Sequence, residues 1–118
     1  KLSDAEYRFL EEVWQAEPVK SSRLVEICQE KFGWKKSTTY TVIKNLSKKE
    51  VLVNEDTMVR SLVTREDIAK AEGKEIAHKA FNGNMLDMFA AFLQDRKLTK
   101  EEYTRLEKLI NDAYDEDK

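Results

Sequence analysis

The chain has 118 residues with three glycines, one proline and one cysteine, and 41% of it is apolar and 37% charged. That composition excludes collagen-like and low-complexity chains and favours a helix-rich fold, while the lone Cys28 excludes a disulfide framework and a multi-cysteine metal cluster within one chain. The net charge of −2 argues against a nucleic-acid partner only if the charge is evenly spread, and it is not.

Ser3, with Glu6 three residues later, opens the first helix as a capping box, and Tyr7, Leu10, Val13 and Trp14 recur on one apolar face. Pro18 ends that helix. A second helix is expected after a Ser21-Ser22 cap, with Leu24, Val25, Ile27, Cys28 and Phe32 inward and Gly33 as a left-handed stop. Trp34 anchors the turn that follows. The third helix is expected over Ser37–Lys49, with Thr39, Val42, Ile43 and Leu46 on one face and Ser37, Thr41, Lys44 and Lys48 on the other. Then the period changes. Val51-Leu52-Val53 and Met58 to Val63, joined by the polar Asn54-Glu55-Asp56-Thr57, read as a short hairpin.

From Thr64, paired with Asp67 as a cap, the pattern is helical again, with a sparse apolar set of Ile68, Ala71, Ile76 and Ala80. Asn82-Gly83-Asn84 interrupts it. Met85, Leu86, Met88, Phe89, Phe92 and Leu93 then crowd into nine positions. Thr99 with Glu102 caps a last helix striped by Tyr103, Leu106, Leu109, Ile110, Ala113 and Tyr114, before the acidic end Asp115-Glu116-Asp117. No apolar run reaches the ~18 residues a spanning helix needs, and no positively headed signal segment opens the chain. A cytoplasmic location, no membrane partner and no cofactor are expected.

Residues 1–64 carry eleven cationic and ten acidic side chains, and residues 65–118 carry ten and thirteen. Between positions 31 and 49 stand Lys31, Lys35, Lys36, Lys44, Lys48 and Lys49, and no acid. Phosphate binding responds to such local charge rather than to the total. Three helices followed by a hairpin is the order of a winged helix-turn-helix, in which the third helix enters the major groove. The expected fold is mainly α with a small β-hairpin: a winged helix-turn-helix over residues 1–64, then a helical dimerisation arm over residues 65–118. Lysines set position on phosphates, while Ser, Thr, Tyr and Asn reach base edges or backbone oxygens. The amides that open the third helix suit a phosphate near Ser37 and Thr38.

Leu2-Ser3-Asp4-Ala5-Glu6 to Val13-Trp14, and Gly33-Trp34-Lys35-Lys36-Ser37-Thr38-Thr39-Tyr40-Thr41-Val42-Ile43-Lys44-Asn45-Leu46 with the basic pair Lys48-Lys49, resemble the penicillinase-repressor (BlaI/MecI/CopY) family of transcriptional repressors. The resemblance continues through Ser61-Leu62-Val63 and, more loosely, to the final helix. It implies a homodimer on a palindromic double-stranded DNA operator, repressing a resistance or homeostasis gene, with a regulatory protease or sensor as a further partner. Family contacts carried over by position fall on Ser37, Thr38, Tyr40, Thr41, Lys44 and Asn45. Lys35, Lys36, Lys48 and Arg60, the hairpin's only cation, complete the DNA-binding set. Three departures stand out. Glu50 replaces the family's glycine before the hairpin, the hairpin tip Glu55-Asp56 is acidic, and Ala91-Phe92 stands where the β-lactam branch is cut at an Asn-Phe bond. The C-x-C cysteines of the copper-responsive branch are missing, so copper sensing by that route is excluded.

Cys28, on an apolar face, reads as a small core residue. His78, the one histidine, has no nucleophile or orienting partner nearby in sequence. It reads as a surface or dimer-interface group, and no enzyme motif is present. Trp14 and Trp34 fit core spacing. Residues 65–118 have too few elements to enclose both late apolar clusters, so Met85, Met88, Phe89, Phe92, Leu93, Tyr103, Leu106, Leu109 and Ile110 are expected at a dimer interface. The competing reading is a winged-helix protein–protein interaction module that never touches DNA.

Overall fold

The computed structural model describes residues 2–114, so the acidic end at 115–117 lies outside the described residues. Among them the order is α1 (Asp4–Ala16), β1 (Val19–Lys20), α2 (Ser21–Phe32), α3 (Lys36–Lys48), β2 (Leu52–Glu55), β3 (Met58–Ser61), α4 (Arg65–Phe81), α5 (Met85–Gln94) and α6 (Lys100–Ala113). The chain divides into two compact units, residues 1–73 and 74–118. None of the helices is long and apolar enough to cross a membrane, among the described residues.

In the first unit α1, α2 and α3 surround one core with the sheet. Phe9, Leu10, Val13, Leu24, Cys28, Val42, Ile43, Leu46, Leu52 and Val59 are all buried in it. Phe9, outside the apolar face expected for the first helix, has no exposed surface. It stacks on Trp34 at 6.2 Å between ring centroids, and Phe32 tilts against the same indole at 5.1 Å. Trp34 thereby fixes the turn between α2 and α3, which Gly33 opens at φ 69°. The Ser3–Glu6 and Thr99–Glu102 boxes form reciprocally.

Two local expectations need correction. Ser21 does not cap α2: the cap position is Lys20, without a side-chain bond, and Ser21 is buried inside the helix. The cause is β1, a strand too short for sequence periodicity to reveal. Val19 pairs with Val59 and Lys20 with Met58, and the Ser21 amide donates to the Thr57 carbonyl at 2.8 Å. The sheet order is therefore β1-β3-β2, with β3 in the middle. Second, the hairpin loop is shorter than the polar run suggests. Asn54 and Glu55 belong to β2, and only Asp56 and Thr57 turn the chain. Both have positive φ, 52° and 68°, the signature of a type I′ turn whose twist matches that of its strands.

The end of α3 carries a further detail. The Val51 amide donates to Leu46 O and the Glu50 amide to Ser47 O, each at 3.1 Å. This is the paired bonding of a Schellman cap, in which the left-handed position belongs to glycine by preference. Here Glu50 occupies it, at φ 60°.

In the second unit the C-terminal end of α4 closes on Asn82 and Gly83, both at positive φ, with the Gly83 amide on Ala77 O at 2.8 Å. Asn84 caps α5 through a 3.1 Å bond from the Asp87 amide. Ala77 and Met88 are the buried apolar residues of this unit, and Phe81 meets Phe92 edge to face at 6.5 Å.

Candidate nucleic-acid interface

Helix α3 owes its two faces to its own sequence. Thr39, Val42, Ile43 and Leu46 are buried at helical spacing, and this face docks the helix on the core. The Thr39 hydroxyl sits beside the Cys28 thiol, which burial pushes up to about 11 and which is therefore an inert thiol rather than a nucleophile. With that side fixed, Ser37, Thr38, Tyr40, Thr41, Lys44, Asn45 and Lys48 are turned to solvent, together with Lys35 and Lys36 just before them. The Lys36 ammonium stands 6.0 Å from the Tyr40 ring centroid, a loose cation–π contact that leaves both groups accessible. The helix starts at Lys36, one residue earlier than the sequence suggested. No side chain caps its first turn, so its N-terminal amides face outward from Ser37 and Thr38.

The six lysines of the acid-free stretch divide by task. Lys31 is bonded to Glu12 at 2.9 Å and Lys49 to Glu6 at 2.8 Å; these two tie α2 and α3 to α1. Burial alone would raise the Glu6 carboxyl, but the Lys49 ammonium and Ser3 more than offset it and hold it below the ordinary carboxylate value. Lys35, Lys36, Lys44 and Lys48 make no ion pair among the described residues, and they border the polar face. Within this stretch, four lysines are therefore without an ion pair among the described residues. An open cleft of about 480 Å³ between the start of α1 and the end of α3 is lined by Ser3, Ala5, Glu6, Val42, Asn45, Lys48 and Lys49. Sequence reasoning could see the basic pair at 48–49 but not that its second member is ion-paired to Glu6 across to α1.

The hairpin adds little positive charge. Arg60 is exposed on β3, with its Nη2 3.5 Å from Glu55 Oε1, so the wing's cation is already partly neutralised beside an acidic tip.

The late apolar residues are placed in α5 and α6. Met85, Phe89, Phe92, Leu93, Tyr103, Leu109 and Ile110 are exposed, and Leu106 is half-buried. Met88 differs from them: only 6% of it is exposed within the single chain. Leu86 and Tyr114, which the interface expectation left out, are the most exposed large apolar groups of the unit. A shallow cleft of about 160 Å³ lined by Tyr103, Leu106, Glu107, Ile110 and Asn111 runs along α6. The Ala91–Phe92 bond lies within α5, and His78 is exposed on α4.

Comparison with known proteins agrees with this architecture. The model of the family described as penicillinase repressor matches residues 2–112. The methicillin resistance regulatory protein MecI of Staphylococcus aureus (strain Mu50 / ATCC 700699) is 24% identical over 115 residues, covering 94% of this chain and 94% of that protein.

Proposed function

We propose that this chain, which belongs to the penicillinase repressor family, is a homodimeric repressor that reads a palindromic operator with α3. Membership makes it a transcriptional regulator of the penicillinase-repressor type; the finer reading is ours. One observation supports it above the others: a helix packed on one side presents, on the other, uncapped amides, four lysines without ion pairs among the described residues, and five hydroxyl, phenol or amide side chains. Residues 1–64 would bind DNA and residues 65–118 would pair the subunits. Lys35, Lys36, Lys44 and Lys48 supply salt-sensitive attraction to phosphates. Tyr40, Thr41, Lys44 and Asn45 read base edges, Ser37 and Thr38 take a phosphate, and Arg60 makes a weak wing contact.

Pairing is supported by the apolar side chains that α5 and α6 leave in solvent, because a single chain rarely exposes so continuous a set. Two linked copies read two half-sites, which gives a groove reader its specificity. An inducing protease or sensor would act by disrupting that pairing, and the relative's name makes a resistance gene the first target to test.

The test is a gel-shift series on a duplex recovered by selection from a random pool, alongside a scrambled duplex. Thr41→Ala and Asn45→Ala should lose ~1–3 kcal/mol on the selected duplex and little on the scrambled one. Lys48→Ala should weaken both alike and flatten the salt dependence. Equal losses on both duplexes for Thr41→Ala would refute base reading by α3. Binding to a protein partner that ignores salt, with no duplex recovered, would favour the interaction-module reading.

A further inference from the structure

The chain leaves the sheet through Val63, Thr64 and Arg65, and α1 holds this exit at several points. Trp14 Nε1 donates to the Val63 carbonyl at 3.0 Å. Thr64 and Asp67 cap each other, amide to carboxylate and amide to hydroxyl, both at 3.0 Å. Three residues separate β3 from helix α4, and the last two of those three are themselves hydrogen-bonded, Val63 to Trp14 and Thr64 to Asp67. Arg65, its first residue, lays its guanidinium 5.0 Å from the Trp14 ring centroid. Its Nη1 donates to Glu11 Oε2 at 3.0 Å and to Tyr7 Oη at 3.4 Å. Tyr7 meets Trp14 edge to face at 6.1 Å.

Tyr7, Glu11 and Trp14 stand four and three residues apart, one stripe along α1. A planar guanidinium can stack on an indole and donate in its own plane at the same time, which an ammonium cannot. Exposed contacts of this kind add little to stability, and the core of the first unit is closed without them. What three differently directed contacts on one rigid group do fix is orientation. No local pattern marks this role, because by spacing Arg65 reads as one more charge on a polar helix.

We infer that Arg65 is a positioning residue for paired recognition. Seated on the Tyr7–Glu11–Trp14 stripe, it sets the direction in which the first turns of α4 leave the winged helix, and so the separation of half-sites that two copies reach together. This rests on the homodimeric operator-binding reading above.

The experiment uses inverted repeats of the selected half-site whose spacing is changed one base pair at a time, each step turning one half-site by about 34°. Binding of the full-length chain is measured by fluorescence anisotropy, with an isolated half-site as control. Wild type should prefer one spacing. Arg65→Gln should shrink that preference roughly threefold to tenfold and leave the isolated half-site within about twofold of wild type. Glu11→Gln, which spares the stacking on Trp14, should shift the preference the same way by less. An Arg65→Gln protein that keeps the wild-type preference overturns the inference alone. So does one that loses affinity equally on every spacing and on the half-site, since that marks a merely structural role. A wild-type protein that binds no duplex overturns the inference together with the reading beneath it.

Discussion

Replacing Glu50 with glycine separates two effects that the structure places on one residue. Glu50 holds φ 60° at the end of α3, in the Schellman cap position. A side chain there costs about 1 kcal/mol relative to glycine. Glycine gives back about half of that through the greater freedom of the unfolded chain. The expected net gain is ~0.5 kcal/mol, which raises the melting temperature of a domain this size by about 3 °C. The substitution also removes a negative charge next to Lys48 and Lys49. At a distance of about 10 Å from a phosphate, in water, that charge is worth ~0.4 kcal/mol before screening, or about twofold in affinity. Glu50→Ala removes the charge but keeps the Cβ and its strain. Thermal melts and salt titrations on the same duplex should therefore show Gly and Ala gaining affinity alike at low salt, with only Gly gaining stability. A glycine variant that melts lower than wild type, or an alanine variant that melts as high as glycine, would refute the strain argument.

Other outcomes follow from the same geometry. Phe89→Asp, at a side chain half exposed in the single chain, should sediment as a monomer, keep the wild-type circular dichroism and lose operator binding; a dimer that still binds would sink the pairing model. The Glu6 carboxyl is held below its ordinary 4.5, so its contribution to stability is complete above about pH 5 and disappears as pH falls through the lowered value. Melting Glu6→Gln beside wild type from pH 7 to pH 3 should show a deficit at neutral pH that closes in acid. Cys28, with its thiol near 11 and no exposed surface, should resist a disulfide reagent at pH 8 until denaturant is added; labelling at the rate of a free thiol would contradict its burial.

How much of this was legible in the sequence depends on the range of the interactions involved. Ser3 with Glu6, Thr64 with Asp67, Thr99 with Glu102 and Gly33 act within a turn of the chain, and the helix starts and stop they mark are where local chemistry puts them. The buried face of α3 was equally readable from Thr39, Val42, Ile43 and Leu46. Strand β1 was not, because two residues become a strand only through Val59 and Met58, some forty positions away. The hairpin turn hid for another reason: Asp56-Thr57 lacks the glycine that usually announces positive φ. In the candidate interface, residue types and spacing showed which side chains of α3 would face out. They did not show that Lys31 and Lys49 are spent on Glu12 and Glu6, since cross-helix pairing has no local signature. The burial of Met88 within the single chain was equally hidden, its periodicity being the same whether the neighbour is this chain or another.

The central place of β3 also bears on how copies of the protein can meet. The two outer strands of the sheet are β1, only two residues long and preceded by Pro18, and β2, whose last residue is Glu55. Short length, a missing amide hydrogen and a carboxylate are the devices by which sheets discourage strand-on-strand aggregation. With backbone docking blunted at both margins, side chains are left as the means by which one molecule recognises another.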